Sequence, residues 1–476
     1  MKRAVLALTL ALLVSCRVGP NYRPPELPKH AEGPLVSVNE ATESRASPPD
    51  AWWRLYGDTQ MDALVEEAFT ANRDLVAAQA NLAAARAVLT VARSNRYPST
   101  QIIAGGVRGR DPTTDEILEL NGQRPQNFWL FEDLFEVGYE VDLFGRVHRQ
   151  IEVAGADEEA VAALRDSVQV VVASETVRAY AAICALGQQV AVSRHSLEVV
   201  SREAEITRQR YEAGAGSPYD VKRAQALVEQ VGADIPTLEG QRRVALFTLA
   251  ALLGRAPADA PADTERCVLA PHLDDLLPVG DGTSLIRRRP DIRQAERRLA
   301  AATAQIGVAT ADLYPTVRLA GFYGGAAPQI SDLGTNAGLA WGIGPQISWN
   351  FFNQSAARAR VRQAKAGEAA ALAGFDSAVL GALKEIEQAL SIYDAALKNH
   401  VSLIAARQRI HEAFDIARDE YSAGALSSLD LLTTEQSLVT LDGAVAASES
   451  ALVIDQIAVF NALGGGWGAG APVATR

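Results

Sequence analysis

Two stretches of strict alternation stand out in a chain whose other apolar residues recur at helical spacing. Val137, Tyr139, Val141 and Leu143 alternate with Gly138, Glu140 and Asp142; Ile343, Ile347, Trp349 and Phe351 alternate with Gly344, Gln346, Ser348 and Asn350. A period of two, with one apolar and one polar face, predicts strands with core or lipid on one side and water on the other. Further strand candidates precede them at 100–107 and 317–323, and the linking segments near 111–126 and 326–336 are rich in Gly, Pro, Asp and Asn. The pattern predicts two β-hairpins, about 99–144 and about 315–352, four strands in all. A soluble sandwich has such strands too, so they do not by themselves decide between membrane and core.

Elsewhere the spacing is helical. Residues 147–210 run for 64 positions without a proline, about 96 Å at roughly 1.5 Å per residue. A counterpart follows Phe352 and extends to about Glu420. The return segments place Val221, Ala224, Val228, Val231, Ile235 and Leu238, and then Leu431, Leu438, Leu441, Val445, Leu452 and Val459, in a heptad seam. That seam is a packing signal, not a ligand box. Pro236 interrupts the first return helix and is expected to kink it. Further upstream, Trp52-Trp53 leads into a helix carrying Leu64, Ala68, Asn72, Asp74 and Leu75, and an Ala-rich helix over 77–92 ends at Tyr97-Pro98.

Between the outgoing and return helices lies one motif in two copies, Tyr211 to Asp220 and Tyr421 to Asp430, offset by 210 residues, as are Leu253-Gly254 and Leu463-Gly464. In each copy Gly follows one helical run and Ser precedes the next. Gly accepts the left-handed conformation that ends a helix, and Ser caps the next N-terminus. Each copy therefore reads as the tip of a long helical hairpin. Arg96-Tyr97-Pro98 and Leu313-Tyr314-Pro315, with Leu82 and Leu299, match at an offset of 217. The expected organisation is a two-fold internal repeat. Its first copy covers 51–254, with a helical hairpin over 147–254; a Pro-, Ala- and Asp-rich connector covers 255–282; the second copy covers 283–464, with a helical hairpin over 354–463; a tail covers 465–476.

The N-terminus reads as a targeting segment. Lys2 and Arg3 precede an apolar run from Ala4 to Val14, too short to span a bilayer but of signal-peptide length. It ends in Leu13-Val14-Ser15-Cys16, which looks like a lipobox: signal peptide 1–15, then Cys16 as a lipid anchor bearing diacylglycerol and an N-acyl chain. Arg17, where an Asp would favour inner-membrane retention, permits delivery to the outer membrane. Residues 16–50 are rich in Pro and polar residues and read as an extended strap.

Composition narrows the function. A net charge of −12 gives no basic face for nucleic acid. No CxxC, HExxH, GxxxxGK[ST] or GxSxG occurs, and the six histidines have no metal-ligand spacing. The chain reads as neither an enzyme nor a metal binder. Cys184 and Cys267 read as free thiols, and a disulfide between them in an oxidising compartment has no spacing argument behind it. Arg289, Pro290 and Asp291 read as structural, at a helix start.

Trp52-Trp53 through Gly57-Asp58, Arg288-Arg289-Pro290-Asp291-Ile292-Arg293-Gln294-Ala295-Glu296, and Ile306-Gly307 through Tyr314-Pro315 resemble the outer-membrane factors. That is the TolC-like family, in the lipoprotein branch that includes OprM and NodT, and the resemblance runs from Cys16 to about Gly464. It implies an α+β membrane protein: a homotrimer sharing a transmembrane β-barrel of twelve strands above an α-helical barrel of coiled-coil hairpins. It further implies a passive, gated conduit of the outer membrane, docked to a periplasmic adaptor protein and a resistance-nodulation-division pump of the inner membrane. Carried over by position, Asp220 and Tyr421 look like a hydrogen-bonded periplasmic gate pair, with Tyr211 nearby, and Asp430 looks like part of a carboxylate ring. The departures are Leu426, where the family's best-known gate has Arg, and Thr433, where it has a second Asp; Arg210 or Lys222 is the substitute on offer. The plain alternative makes Tyr211, Tyr421, Asp220 and Asp430 turn and capping residues. Two other functions stay open: the duct of a type I protein secretion system, or a structural periplasmic coiled-coil lipoprotein without a pore. The transported substrate is not encoded in these motifs.

Overall fold

Helical segments dominate the computed structural model, which describes residues 17–110, 112–124, 127–273 and 276–464. The signal segment, Cys16 and the tail lie outside the described residues. The elements in chain order are α1 (Thr59–Ala71), α2 (Arg73–Ser94), β1 (Ser99–Gly109), α3 (Pro112–Leu120), β2 (Phe128–Val141), α4 (Arg146–Glu212) and α5 (Pro218–Leu252). They continue with α6 (Gly282–Arg288), α7 (Pro290–Ala311), β3 (Thr316–Ala327), β4 (Leu339–Ser348), α8 (Gln354–Ser422) and α9 (Ser428–Ala462). The chain forms two compact units, each discontinuous in sequence: 1–25, 82–161 and 295–375; and 26–81, 162–294 and 376–476.

The first unit holds a four-stranded antiparallel sheet in the order β1-β2-β3-β4. Strand β2 begins at Phe128, nine residues before the alternation that signals it, and helix α3 occupies part of the segment read as a linker. The clustered Phe and Trp of 128–135 hide the period there. The strand stops at Val141 because Asp142 turns to cap α4, accepting from the N–H groups of Val147 (3.1 Å) and His148 (2.9 Å). Leu143 therefore lies outside the strand, as do Trp349 and Phe351 beyond β4. Pro345 falls on β4, an edge strand, where a residue without an N–H is tolerated. The strap is held here by Arg149, which is 2% exposed and donates to the carbonyls of Val18 and Gly19 and to Asn21 Oδ1. Gly19, at φ 87°, passes so close to Gly307 that a Cβ on it would lie 2.5 Å from the Gly307 Cα.

In the second unit the core gathers around Trp52, stacked on Phe460 at 4.6 Å between centroids, with Met61, Val65, Val177, Ile183, Leu249, Ile386 and Ile457 fully buried. Asp58 caps α1 through the N–H groups of Gln60 and Met61 and accepts a bond from the buried Tyr180 hydroxyl (2.9 Å). Asn72, expected inside the first helix, breaks it instead. Its ψ of 128° leaves the helical region, and its side chain caps α2 by accepting from Asp74 and Leu75. Helix α5 continues through Pro236: a proline removes one backbone bond, and the packing of the remaining turns keeps the helix whole. Arg289 precedes α7 and is paired with Asp291 and Glu385, both at 2.7 Å, while donating to the Ala462 carbonyl. Cys184 and Cys267 are not free thiols. They form a disulfide joining α4 to the connector. Arg242 lies alongside, donating to the carbonyls of Ile183 (3.0 Å) and Cys267 (2.7 Å).

Candidate functional site

The sheet sorts its side chains by face. Phe135 stands opposite Ile102 on one side and Tyr323 on the other, Tyr323 opposite Trp341, and Val137 opposite Gly321, itself opposite Ile343. Phe135, Val137, Tyr139, Leu319, Tyr323, Trp341 and Ile343 line an apolar concavity of about 600 Å³. The reverse face carries Ser99, Gln101, Glu136, Arg318 and Gln346, and Gln101 donates to Glu136 across the strands (2.6 Å). Ile102, Val107, Trp341, Ile343 and Ile347 are each at least two-thirds exposed. Among the described residues, both outer strands, β1 and β4, leave one edge unpaired. An amphipathic, open-edged sheet has to meet something apolar on one face and something hydrogen-bonding at each edge.

The two helix tips of the second unit close in the same way. At the first, Ala215 N–H donates to Arg210 O and Gly214 N–H to Tyr211 O; at the second, Ala425 donates to Glu420 O and Gly424 to Tyr421 O. Gly214 (φ 78°) and Gly424 (φ 77°) supply the left-handed residue each closure needs. Ser217 then caps α5 by accepting from Tyr219 N–H, and Ser427 caps α9 by accepting from Asp430 N–H.

Between the tips lies a cleft of about 260 Å³ lined by Thr207, Arg210, Asp220, Tyr421, Leu426 and Ser428, among others. The structure thus brings Asp220 and Tyr421 to one cleft. Among the described residues, no hydrogen bond joins their side chains within the chain. Tyr421 is engaged by Arg210, whose guanidinium lies 4.2 Å from the ring centroid and donates to the Tyr421 carbonyl (3.5 Å). Lys222 donates to Gln225 instead (3.1 Å). Asp430 accepts from the Ser427 hydroxyl (2.6 Å). Tyr211 is 43% exposed, and its backbone packs against Gly216. Leu426, at the family's Arg position, packs with Tyr421 against Phe414, Ala417, Leu431 and Leu438. Thr433 donates back to the Leu429 carbonyl (2.8 Å). One turn before the first tip, hydrogen bonds from Arg208 and then Gln209 hold the exposed Glu205 carboxyl at about 2. No group of three or more metal-ligating side chains occurs among the described residues.

Comparisons with known proteins agree in one direction. A family model described as "Outer membrane efflux protein" matches residues 64–255 and 283–465. Nodulation protein T of Rhizobium leguminosarum bv. viciae is 30% identical over 475 residues, covering 98% of this chain and 94% of the relative. The probable efflux pump outer membrane protein TtgC of Pseudomonas putida is 28% identical, covering 97% and 95%. Among solved structures, the outer-membrane channel OprN superposes with a TM-score of 0.88 at 35% identity, covering 95% of this chain and all of that one.

Proposed function

The chain belongs to the outer membrane efflux protein family, and on that premise we propose that three copies form the conduit of a tripartite efflux system. The protein is an outer-membrane efflux channel component. The observation that carries the trimeric reading is the four-stranded sheet with one apolar face and two unpaired edges. Four strands do not close a membrane barrel, and an open edge in lipid leaves backbone groups unsatisfied. Three copies joined edge to edge give twelve strands, with the apolar face of Phe135, Tyr323, Trp341 and Ile343 toward lipid and that of Glu136, Arg318 and Gln346 toward a water-filled lumen. By length and composition four helices would also suffice to cross a membrane. In this reading their apolar residues serve helix packing instead, in an α-barrel of four long helices from each chain.

The internal repeat is supported by the matching bonds at the two tips. In the assembled system the tips face a periplasmic adaptor, behind it an inner-membrane pump of the resistance-nodulation-division type supplies the energy, and the tip cleft acts as the gate. Cys16 carries the acyl anchor. The family match and the relatives' efflux role favour this conduit over a type I secretion duct and over a lipoprotein without a pore.

The test is purification from outer membranes, mass determination in detergent, and recording in planar bilayers. A species of three chains that conducts in discrete steps is expected. A folded, monomeric, non-conducting protein overturns the reading.

A further inference from the structure

Helix α9 carries three acidic residues in its seam, at Glu435, Asp442 and Glu449. Asp442 is paired with Arg407 (2.5 Å) and Glu449 accepts from Gln188 (2.5 Å). Glu435 has neither. It is 1% exposed, and both its carboxylate oxygens are buried without a hydrogen-bond partner among the described residues.

Its surroundings explain why this matters. On α9 it lies between Leu431 and Leu438, which pack with Phe414 and Ala417 of α8. Beside it Leu432 packs with Val200 of α4 and with Ala224, Leu227 and Val231 of α5. Helix α5 therefore offers this layer apolar side chains. Helix α4 offers Glu203, a second acid whose carboxyl is itself pushed up by burial, against which Arg418 of α8 and then Arg202 draw it down. A buried acid facing another acid in an apolar seam is favoured in its neutral form, because ionisation leaves an unpaired charge without water.

The layer is also mechanically connected to the tip. Thr207 donates its hydroxyl to the Glu203 carbonyl (2.9 Å), one turn along α4, and lines the cleft with Arg210 and Tyr421.

We propose that Glu435, facing Glu203, is a proton-dependent gating residue of the helix tip. With the proton on Glu435 the seam between α4 and α9 stays dry and the tip stays closed. When the proton leaves to solvent, the carboxylate draws in water, the seam loosens and the cleft between the tips widens. Burial first, and the Glu203 charge second, push the Glu435 carboxyl up to about 7, so the transition falls near neutral pH. Glu435 acts through the packing of α4 and α9 and is a positioning residue, not a pore-lining one. The inference rests on the channel reading above.

The test records the full-length protein in planar bilayers from about pH 5 to about pH 9, beside Glu435→Gln and Glu203→Gln. Wild-type conductance is expected to rise several-fold with a midpoint near 7, Glu435→Gln to stay low and flat, and Glu203→Gln to move the midpoint to lower pH. Asp430 is intact in both variants, so a carboxylate ring at the tip does not produce the difference. A Glu435→Gln variant with the wild-type pH profile overturns the proposal.

Thermal unfolding gives a readout that needs no channel. The folded-state value lies above the ordinary 4.5, so the folded protein binds the extra proton between the two values. Wild-type stability is full below about 4.5, falls as pH rises toward about 7 and stays low above it. The Gln variant is expected to match wild type at about pH 4 and to exceed its Tm at about pH 8. Equal Tm values at both pH values overturn the buried-acid account even if no variant conducts. Absence of channels from every protein, with the Tm difference present, overturns the channel reading alone.

Discussion

Arg210 stacks over Tyr421, its guanidinium carbon 4.2 Å from the ring centroid, tying the end of α4 to the end of α8. Both residues stand within one turn of the glycine that ends their helix. A cation–π pair at an exposed site contributes about 0.5–1 kcal/mol, and the proposed trimer holds three copies. Arg210→Ala and Tyr421→Leu are each expected to raise single-channel conductance, with a coupling of about that size in a double-mutant cycle of tip opening. Tyr421→Phe keeps the ring and is expected to conduct like wild type. A large opening in the Phe variant would instead assign the lock to the tyrosine hydroxyl and Asp220.

The disulfide between Cys184 and Cys267 spans 83 residues of chain. Closing a loop of that length limits the unfolded chain and is worth roughly 4.5 kcal/mol in the chain-entropy treatment. Replacing both cysteines by serine is expected to lower Tm by several degrees while leaving conductance unchanged, read by calorimetry and bilayer recording on one preparation. An unchanged Tm would mean that Arg242, bonded to Ile183 and Cys267, holds the connector alone.

On the sheet, Ile343 and Gln346 lie on opposite faces of one strand. Ile343→Arg places a charge on the proposed lipid side, at a cost of about 2–4 kcal/mol near the bilayer midplane, and is expected to reduce the yield of inserted protein. Gln346→Arg is expected to insert normally and to shift ion selectivity toward anions. Equal insertion of the two would contradict the assignment of faces.

Much of this was legible in the chain. The helical hairpins, their tips and the four strands follow from periodicity and from Gly and Ser placement, because each is decided by local sequence. What escaped depends on distant residues. Asn72 breaks a helical pattern because its side chain finds the N–H groups of Asp74 and Leu75. Strand β2 starts early because its aromatics pair across to β1 and β3. Cys184 and Cys267 meet only once the connector folds back on α4. At the tips, the sequence offered Asp220 and Tyr421 as a hydrogen-bonded pair and Arg210 as a stand-in; Asp220 and Tyr421 both line one cleft, and among the described residues no hydrogen bond joins their side chains. The sequence had no means to see the stacking on Tyr421, which requires α4 and α8 to end side by side. Glu435 sat unremarked within the heptad seam, although an acid at such a position is the signal that would have found it.

In the proposed assembly the sheet is one third of a closed barrel. A single cysteine at Ile103 on β1, combined with single cysteines at successive positions along β4, tests the contact that closes it. Oxidation in outer membranes is expected to give, at a matching β4 position, a reducible covalent trimer and nothing larger, since a ring closes after three chains. No cross-link at any position in folded protein, or a ladder running past the trimer, would contradict the account.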